Sequence, residues 1–291
     1  WLINLWIREF GRDKTEDLCA WFNEQPKLTA RINTILIDIP QCLTMLNEQG
    51  WVVTQDSNYE DIIYINSHRG SLEKSEAFIK GYITFMDKAS MLVARLVNPQ
   101  PGERILDCCA APGGKSMYMA ALMDNVGSLM SCDIHEHKIE LMNSNAERLG
   151  ASIVHTKVQD ATKLPDSWNS YFDRVLVDAP CSGLGILQKK LDMRWRKQES
   201  ILRELPPLQL AILERAAMTV KEKGYLIYST CTLNYKENEE VVESFLQKHK
   251  EFSIIPVVED FPLKSNSGMI TTYPPTDDMD GFFMVKMQRI S

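Results

Sequence analysis

The chain has 291 residues, 44% of them apolar, and a formal net charge of −7. That is enough to bury one large core, or a large one beside a small one, and no apolar run approaches the roughly 20 residues of a membrane span. The acidic balance excludes indiscriminate nucleic-acid binding but leaves room for a local basic face.

In chain order, Trp1 with Leu5 and Leu2 with Trp6 recur at helical spacing, so residues 1–22 read as a helical packing or linker segment. Residues 23–98 read as a small α+β unit: a strand over Thr29–Ile37, a helix over Pro40–Gln49, strands at Trp51–Thr54, Ile62–Asn66 and Tyr82–Phe85, then a helix over Lys88–Val97. Asn98-Pro99-Gln100-Pro101-Gly102 is a breaker cluster and the best domain boundary, so 99–291 forms the second domain. From there strands and helices alternate. Strands are expected at Arg104–Leu106, Ser128–Cys132, Ile153–Val158, Phe172–Val177 and Tyr225–Tyr228. Helices are expected at Ser116–Met123, Lys138–Leu149, Gln209–Val220 and Glu237–His249. Phe252–Val258 and Phe282–Met287 are late strands that could pair antiparallel. Such alternation predicts a mostly parallel sheet with helices on both faces.

The seven cysteines, at 19, 42, 108, 109, 132, 181 and 231, include no Cys-x-x-Cys pair, which argues against zinc. Their odd number and apolar settings fit a reduced, cytoplasmic protein rather than a disulfide scaffold. No secretory signal is visible. The chain begins at Trp1 rather than Met, as a piece of a longer chain would.

Two of these cysteines stand in motifs that follow short apolar strands: Asp178-Ala179-Pro180-Cys181-Ser182-Gly183 and Tyr228-Ser229-Thr230-Cys231-Thr232. Ligands of an open α/β sheet bind outside the carboxyl ends of its strands, so two thiols delivered there point to covalent chemistry on an electrophilic ring. The first strand of the alternation ends in Asp107-Cys108-Cys109-Ala110-Ala111-Pro112-Gly113-Gly114-Lys115-Ser116, where small residues let a ligand approach the backbone and a helix start behind them. The next two strands end at Asp133 and at Asp160, acids placed to meet a ribose and an adenine. Lys189, Lys190, Arg194 and Arg196, with Trp195 as a stacking surface, form the densest basic segment, a local basic face suited to a nucleic-acid backbone. Cys19, Cys42 and Cys132 read as inert buried thiols.

The Ala-Ala-Pro-Gly-Gly-Lys loop, Asp-Ala-Pro-Cys-Ser-Gly and Ser-Thr-Cys-Thr, in this order and spacing, resemble the Sun family of RNA (cytosine-5)-methyltransferases. The resemblance is closest to bacterial members of the Sun/Fmu type, which modify 16S ribosomal RNA. Asp280-Gly281-Phe282-Phe283 matches that family's late strand, and Gly81–Leu92 its lead into the catalytic domain. Departures are mild: Cys108 stands where an apolar residue is usual, and Met86-Asp87-Lys88 replaces a Gln-Asp/Glu-x segment. The bacterial relatives carry a helical NusB-like domain upstream; Trp1–Gly11 resembles the segment just after it, which places that domain outside this chain.

The resemblance implies a Rossmann-like class I methyltransferase with a mostly parallel seven-stranded sheet, preceded by a small α+β domain of RNA-binding type. The donor would be S-adenosylmethionine, with no metal. Cys109, Ala110, Ala111, Pro112, Gly113, Gly114 and Lys115 would hold it, Asp133 its ribose and Asp160 its adenine. Asp178 would lie near donor and target base. Cys231 would be the nucleophile and Cys181 would assist product release; chemistry alone leaves open which of the two attacks. Lys115 would favour the thiolate. The expected partner is ribosomal RNA, met by a monomer away from membranes. The rivals are a tRNA substrate, an RNA-binding assembly factor whose catalysis has lapsed, and a small-molecule methyltransferase, in which paired cysteines have no evident purpose.

Overall fold

A computed structural model describes residues 1–257, 261–263, 265 and 267–290. The chain packs as two compact units, one of Lys27–Asp160 and one in which Trp1–Pro26 joins the chain from Ala161 onward.

Helices α1 (Leu2–Phe10) and α2 (Arg12–Asn23) belong to the latter unit. The helical pattern of residues 1–22 is broken at Gly11, whose φ of 81° a residue with a Cβ rarely adopts. Leu5, Trp6, Leu18 and Phe22 are buried against Leu184, Leu187, Leu202 and Leu233 of the same unit, with the Trp6 and Phe22 rings stacked at 5.5 Å.

Lys27–Asp160 opens with β1 (Thr29–Ile32), α3 (Ile39–Glu48), β2 (Val52–Gln55), β3 (Ile62–Ser67), α4 (Glu76–Ile79), β4 (Ile83–Phe85) and α5 (Lys88–Val97). The strands form an antiparallel sheet in the order β2–β3–β1–β4, and Ala30, Ile32, Ile63 and Ile83 meet Leu46 and Trp51 beneath it. The strand expected to reach Ile37 stops at Ile32. Asn33 turns the chain and commits its side-chain amide to the carbonyls of Gly81 (2.9 Å) and Leu149 (2.8 Å). Asp87 caps α5 by accepting from the Ala89 N–H at 2.8 Å, and Asn98 ends it in the left-handed region, at the head of the breaker cluster. Beyond that cluster come β5 (Arg104–Asp107), α6 (Gly114–Leu122), β6 (Ser128–Asp133), α7 (Glu136–Arg148) and β7 (Val154–Val158), with β5–β6–β7 parallel. Three parallel neighbours end at one edge, which gathers the loops that follow them.

The other unit continues with β8 (Phe172–Asp178), α8 (Met193–Arg196), α9 (Ile201–Ala217), β9 (Val220–Thr230), α10 (Glu239–Lys248), β10 (Phe252–Ile254), β11 (Met269–Thr271), α11 (Pro274–Asp277) and β12 (Phe283–Arg289). β8 and β9 are parallel; β12 runs antiparallel to β9, and β10 and β11 run antiparallel to β12. The pairing of the two late strands is as the sequence predicts, but β10 ends before Pro256, which cannot donate to a ladder. Val258, the last residue expected in that strand, lies outside the described residues. The short β11 adds a strand that the expected set lacks. The architecture is thus mostly parallel α/β with a separate small antiparallel sheet. Among the described residues, no helix is long and apolar enough to cross a membrane.

Candidate active site

Asp178 and Ser229 are register partners at the ends of parallel strands β8 and β9, and Ser229 Oγ donates to Asp178 Oδ1 at 2.7 Å. The segments that leave these strands therefore start side by side. Within three residues of that pair, the Sγ atoms of Cys181 and Cys231 approach to 3.1 Å, and the Cys231 backbone N–H donates to Cys181 Sγ at 3.3 Å. Both thiols are half-buried and neither is in a disulfide. The Cys181 thiol is raised well above the ordinary range, first by its hydrogen bond to Cys231, then by burial and by nearby negative charge that includes Glu237. Burial alone pushes Cys42 up to about 11, and it is the chief cause that pushes Cys132 up to about 12. Burial also leads the rise of Cys19 and Cys108, so these four are poor nucleophiles.

Two sets of bonds fix the cysteine loops. The Cys231 carbonyl accepts the Gly185 N–H at 3.0 Å, and the Gly185 carbonyl accepts the Gly281 N–H at 2.8 Å. A Cβ on Gly185 would stand 1.8 Å from the Gly281 oxygen, so both glycines are required for this approach. This gives the Asp280-Gly281 motif its physical role. The second set centres on Glu237, which in the sequence reads only as a helix start. Its carboxylate is fully buried and accepts from Ser182 N–H (2.8 Å), Ser182 Oγ (2.5 Å), Gln209 Nε2 (2.9 Å) and Asn234 Nδ2 (2.9 Å). Thr232 Oγ1 lies 2.7 Å from Ser182 Oγ, which ties the two motifs directly. The Asn234-x-x-Glu237 spacing, that of a capping box, is the one sequence signal that could have drawn attention to this acid.

In Lys27–Asp160, the parallel register places the loop Cys109–Lys115, Asp133 and Asp160 at one edge of β5–β6–β7. The Ala110 N–H donates to the Cys132 carbonyl and the Gly113 N–H to the Ala110 carbonyl, each at 2.7 Å, which folds the loop back on itself. Gly113 has a φ of +99°, and a Cβ there would press on Met142 and Met117 at 3.2 and 3.3 Å. Helix α6 begins behind it without a capping side chain, a setting that favours an anionic group. Asp107 Oδ2 accepts from Ser116 Oγ at 2.7 Å, and Ser131 Oγ donates to Ser116 Oγ at 2.8 Å, a buried chain joining β5, α6 and β6. Asp133 is nearly buried; its Oδ1 accepts the His135 N–H at 3.0 Å and faces Lys138 Nζ at 3.7 Å. A narrow glycine cradle with acids at the two following strand ends fits a ligand that carries a ribose.

The basic segment is divided in its commitments. Lys189 pairs with buried Asp280 at 2.9 Å. Arg194 donates to Asn23 Oδ1 at 2.9 Å and to the carbonyls of Phe22 and Leu187, closing the end of α2. Trp195, by contrast, is 89% exposed, and Arg196 faces solvent with only a 3.6 Å pairing to Asp192. Lys190 is exposed as well. Among the described residues, no cluster of His, Cys, Asp and Glu is placed to hold a metal ion.

Parallel strands alternating with helices, and a glycine turn and acids at their carboxyl edge, define the Rossmann-like methyltransferase fold, which solved relatives share. The chain belongs to the RsmB/F family of 16S rRNA methyltransferases: residues 94–288 match that family, and residues 1–70 match the ferredoxin-like domain of RsmF/B-like methyltransferases. It is 37% identical over 295 residues to a probable ribosomal RNA small subunit methyltransferase B of Bacillus subtilis, and 36% identical over 300 residues to one of Synechocystis. In both cases the alignment takes in 99% of this chain, which spans 66% of the relative's length. Among solved structures, PH0851 superposes with a TM-score of 0.93 at 32% identity, over 99% of this chain and 65% of that one. NSun6 from Pyrococcus horikoshii, solved with SFG, superposes with a TM-score of 0.90 at 21% identity, over 100% of this chain and 98% of that one.

Proposed function

We propose that this chain transfers a methyl group from S-adenosylmethionine to C5 of a cytosine in small-subunit ribosomal RNA, through a covalent bond between Cys231 and C6. The contact of two thiols at adjacent strand ends, 3.1 Å apart, carries the reading. Methylation of an oxygen or an exocyclic nitrogen has no use for such a pair, whereas cytosine C5 is too weak a nucleophile without help. Family membership and the relatives' names support ribosomal RNA as the substrate.

The Cys231 thiolate adds to C6, which makes C5 enamine-like and splits one difficult step into easier ones. When bound, the donor supplies a methyl group made electrophilic by its sulfonium. Asp178 bonds the cytosine edge and stabilises the adduct's charge. Cys181 then positions the base that takes the C5 proton, and the electron pair of the breaking C6–S bond returns to Cys231. The loop Cys109–Lys115 holds the donor, Asp133 its ribose and Asp160 its adenine. Residues 23–98 serve as an RNA-binding-type domain, 99–291 as the methyltransferase domain and 1–22 as the helical segment before them. The target base must be extruded or already single-stranded.

The test is to incubate the protein with methyl-labelled donor and either small-subunit ribosomal RNA or tRNA, then digest and separate the nucleosides. Label in 5-methylcytidine from ribosomal RNA is expected. Label in another nucleoside, or from tRNA alone, overturns the reading.

A further inference from the structure

Glu237 touches neither thiol, yet each of its bonds ends on a segment that carries or supports one. Ser182 follows Cys181, Asn234 lies three residues beyond Cys231, and Gln209 of α9 also donates to the Pro180 carbonyl at 2.9 Å. The Glu237 backbone carbonyl accepts the Tyr228 hydroxyl at 2.6 Å, which anchors it to the strand that delivers Cys231. Each carboxylate oxygen receives two donors: Ser182 Oγ and Asn234 Nδ2 on Oε1, Ser182 N–H and Gln209 Nε2 on Oε2. An ionised carboxylate only accepts, so four donors satisfy it fully, and an amide or a protonated acid in its place would aim a donor at donors. No cation lies within ion-pairing distance of it among the described residues, so its charge is held by these hydrogen bonds, which are stronger to a charged acceptor than to a neutral one.

We propose that Glu237 is the positioning residue of the thiol pair: it locks the Cys181 and Cys231 loops at their contact distance and sets a buried carboxylate behind them. The role rests on the covalent reading above. The negative field of Glu237 among the causes that raise the Cys181 thiol agrees with it. So does the near-absence of slack in the network, since Ser182, Thr232, Asn234 and Glu237 are all fully buried.

The full chain with Glu237→Gln tests this. Iodoacetamide labelling, mapped by peptide mass, needs neither donor nor RNA and so stands apart from the proposed reaction. The wild type is expected to label Cys231 faster than Cys181, whose thiol is raised by its hydrogen bond to Cys231 and by burial. In Glu237→Gln the two rates should converge to within about twofold, while kcat for methyl transfer falls on the order of a hundredfold, the penalty of misplaced reacting groups. Donor affinity by calorimetry should stay unchanged. Should Glu237→Gln not fold, Ser182→Ala, which removes one donor and spares the acid, should shift the labelling ratio the same way. A folded variant with wild-type labelling ratio and kcat overturns the proposal. Converging labelling rates in a protein whose wild type transfers no methyl group uphold the positioning role and overturn the proposed function instead.

Discussion

The backbone N–H of Cys231 points at the sulfur of Cys181 from 3.3 Å, while the two sulfurs touch at 3.1 Å. The thiols are therefore in direct contact, and a change at one alters the surroundings of the other. Cys231→Ala is expected to abolish methyl transfer and leave no covalent RNA adduct. Cys181→Ala should allow attack but stall release, so that an adduct accumulates on denaturing gels. An adduct with Cys231→Ala would exchange the two roles.

Donor binding should not require RNA, because Cys109–Lys115, Asp133 and Asp160 share one sheet edge. Asp133→Ala is expected to weaken donor affinity by about 1–3 kcal/mol, the scale of a lost charged hydrogen bond. Calorimetry on the RNA-free protein measures it. Because Asp133 also accepts the His135 N–H, a melting curve of the variant separates lost contact from a loosened turn.

The basic segment should divide by function. Arg196→Ala is expected to flatten the log–log salt dependence of RNA binding by about 0.7, one phosphate contact on a single strand. Trp195→Ala should cost about 1–3 kcal/mol in RNA affinity without changing that slope, as loss of a stacking surface does. Arg194→Ala should instead lower the melting temperature, since its guanidinium closes the end of α2. A wild-type melting temperature in Arg194→Ala would show that those bonds contribute nothing.

Glu9 gives stability a pH dependence. Burial raises its carboxyl to about 7, with the Tyr235 N–H and Arg8 opposing and Glu239 and Glu237 adding to the rise. A carboxyl that binds its proton more tightly when folded stabilises the fold fully below its unfolded value of 4.5, and that contribution is lost as pH rises through about 7. Glu9→Gln should therefore match the wild type near pH 4 and exceed it at pH 8. The gain should be about 1–2 kcal/mol, because Glu9 is only half-buried and solvent screens the shift. Chemical denaturation at the two pH values reads the difference; a gain at pH 4 would reverse the sign.

The alternation of strands and helices was legible because each parallel strand is a short apolar run closed by a distinctive loop. Where reading and structure part, a local signal was overruled by packing. Pro206 and Pro207 mark helix breaks, yet α9 starts at Ile201 and carries both. Leu202 and Gln209 anchor the helix to the core on one side while Pro207 faces solvent on the other. Lys221-Glu222-Lys223-Gly224 looks like a loop, but β9 runs through it because the register shifts opposite Phe172 and Arg174, and the bulge absorbs the extra residues. The cysteines and donor loop announced themselves by motif. Glu237 did not, because an acid near a helix start is ordinarily solvated, and only the convergence of Ser182, Gln209 and Asn234 makes it a buried anchor.

The burial of α1 and α2 against leucines far along the chain has a consequence for synthesis. Trp6 and Phe22 are made long before Leu184, Leu202 and Leu233, which cover them. At about 5–20 residues per second, that apolar face waits roughly 10–40 s for its partners. All of Lys27–Asp160 emerges during the wait. The unit that bears Cys181 and Cys231 is thus the later of the two to close, and α1 and α2 wait for it with an uncovered apolar face.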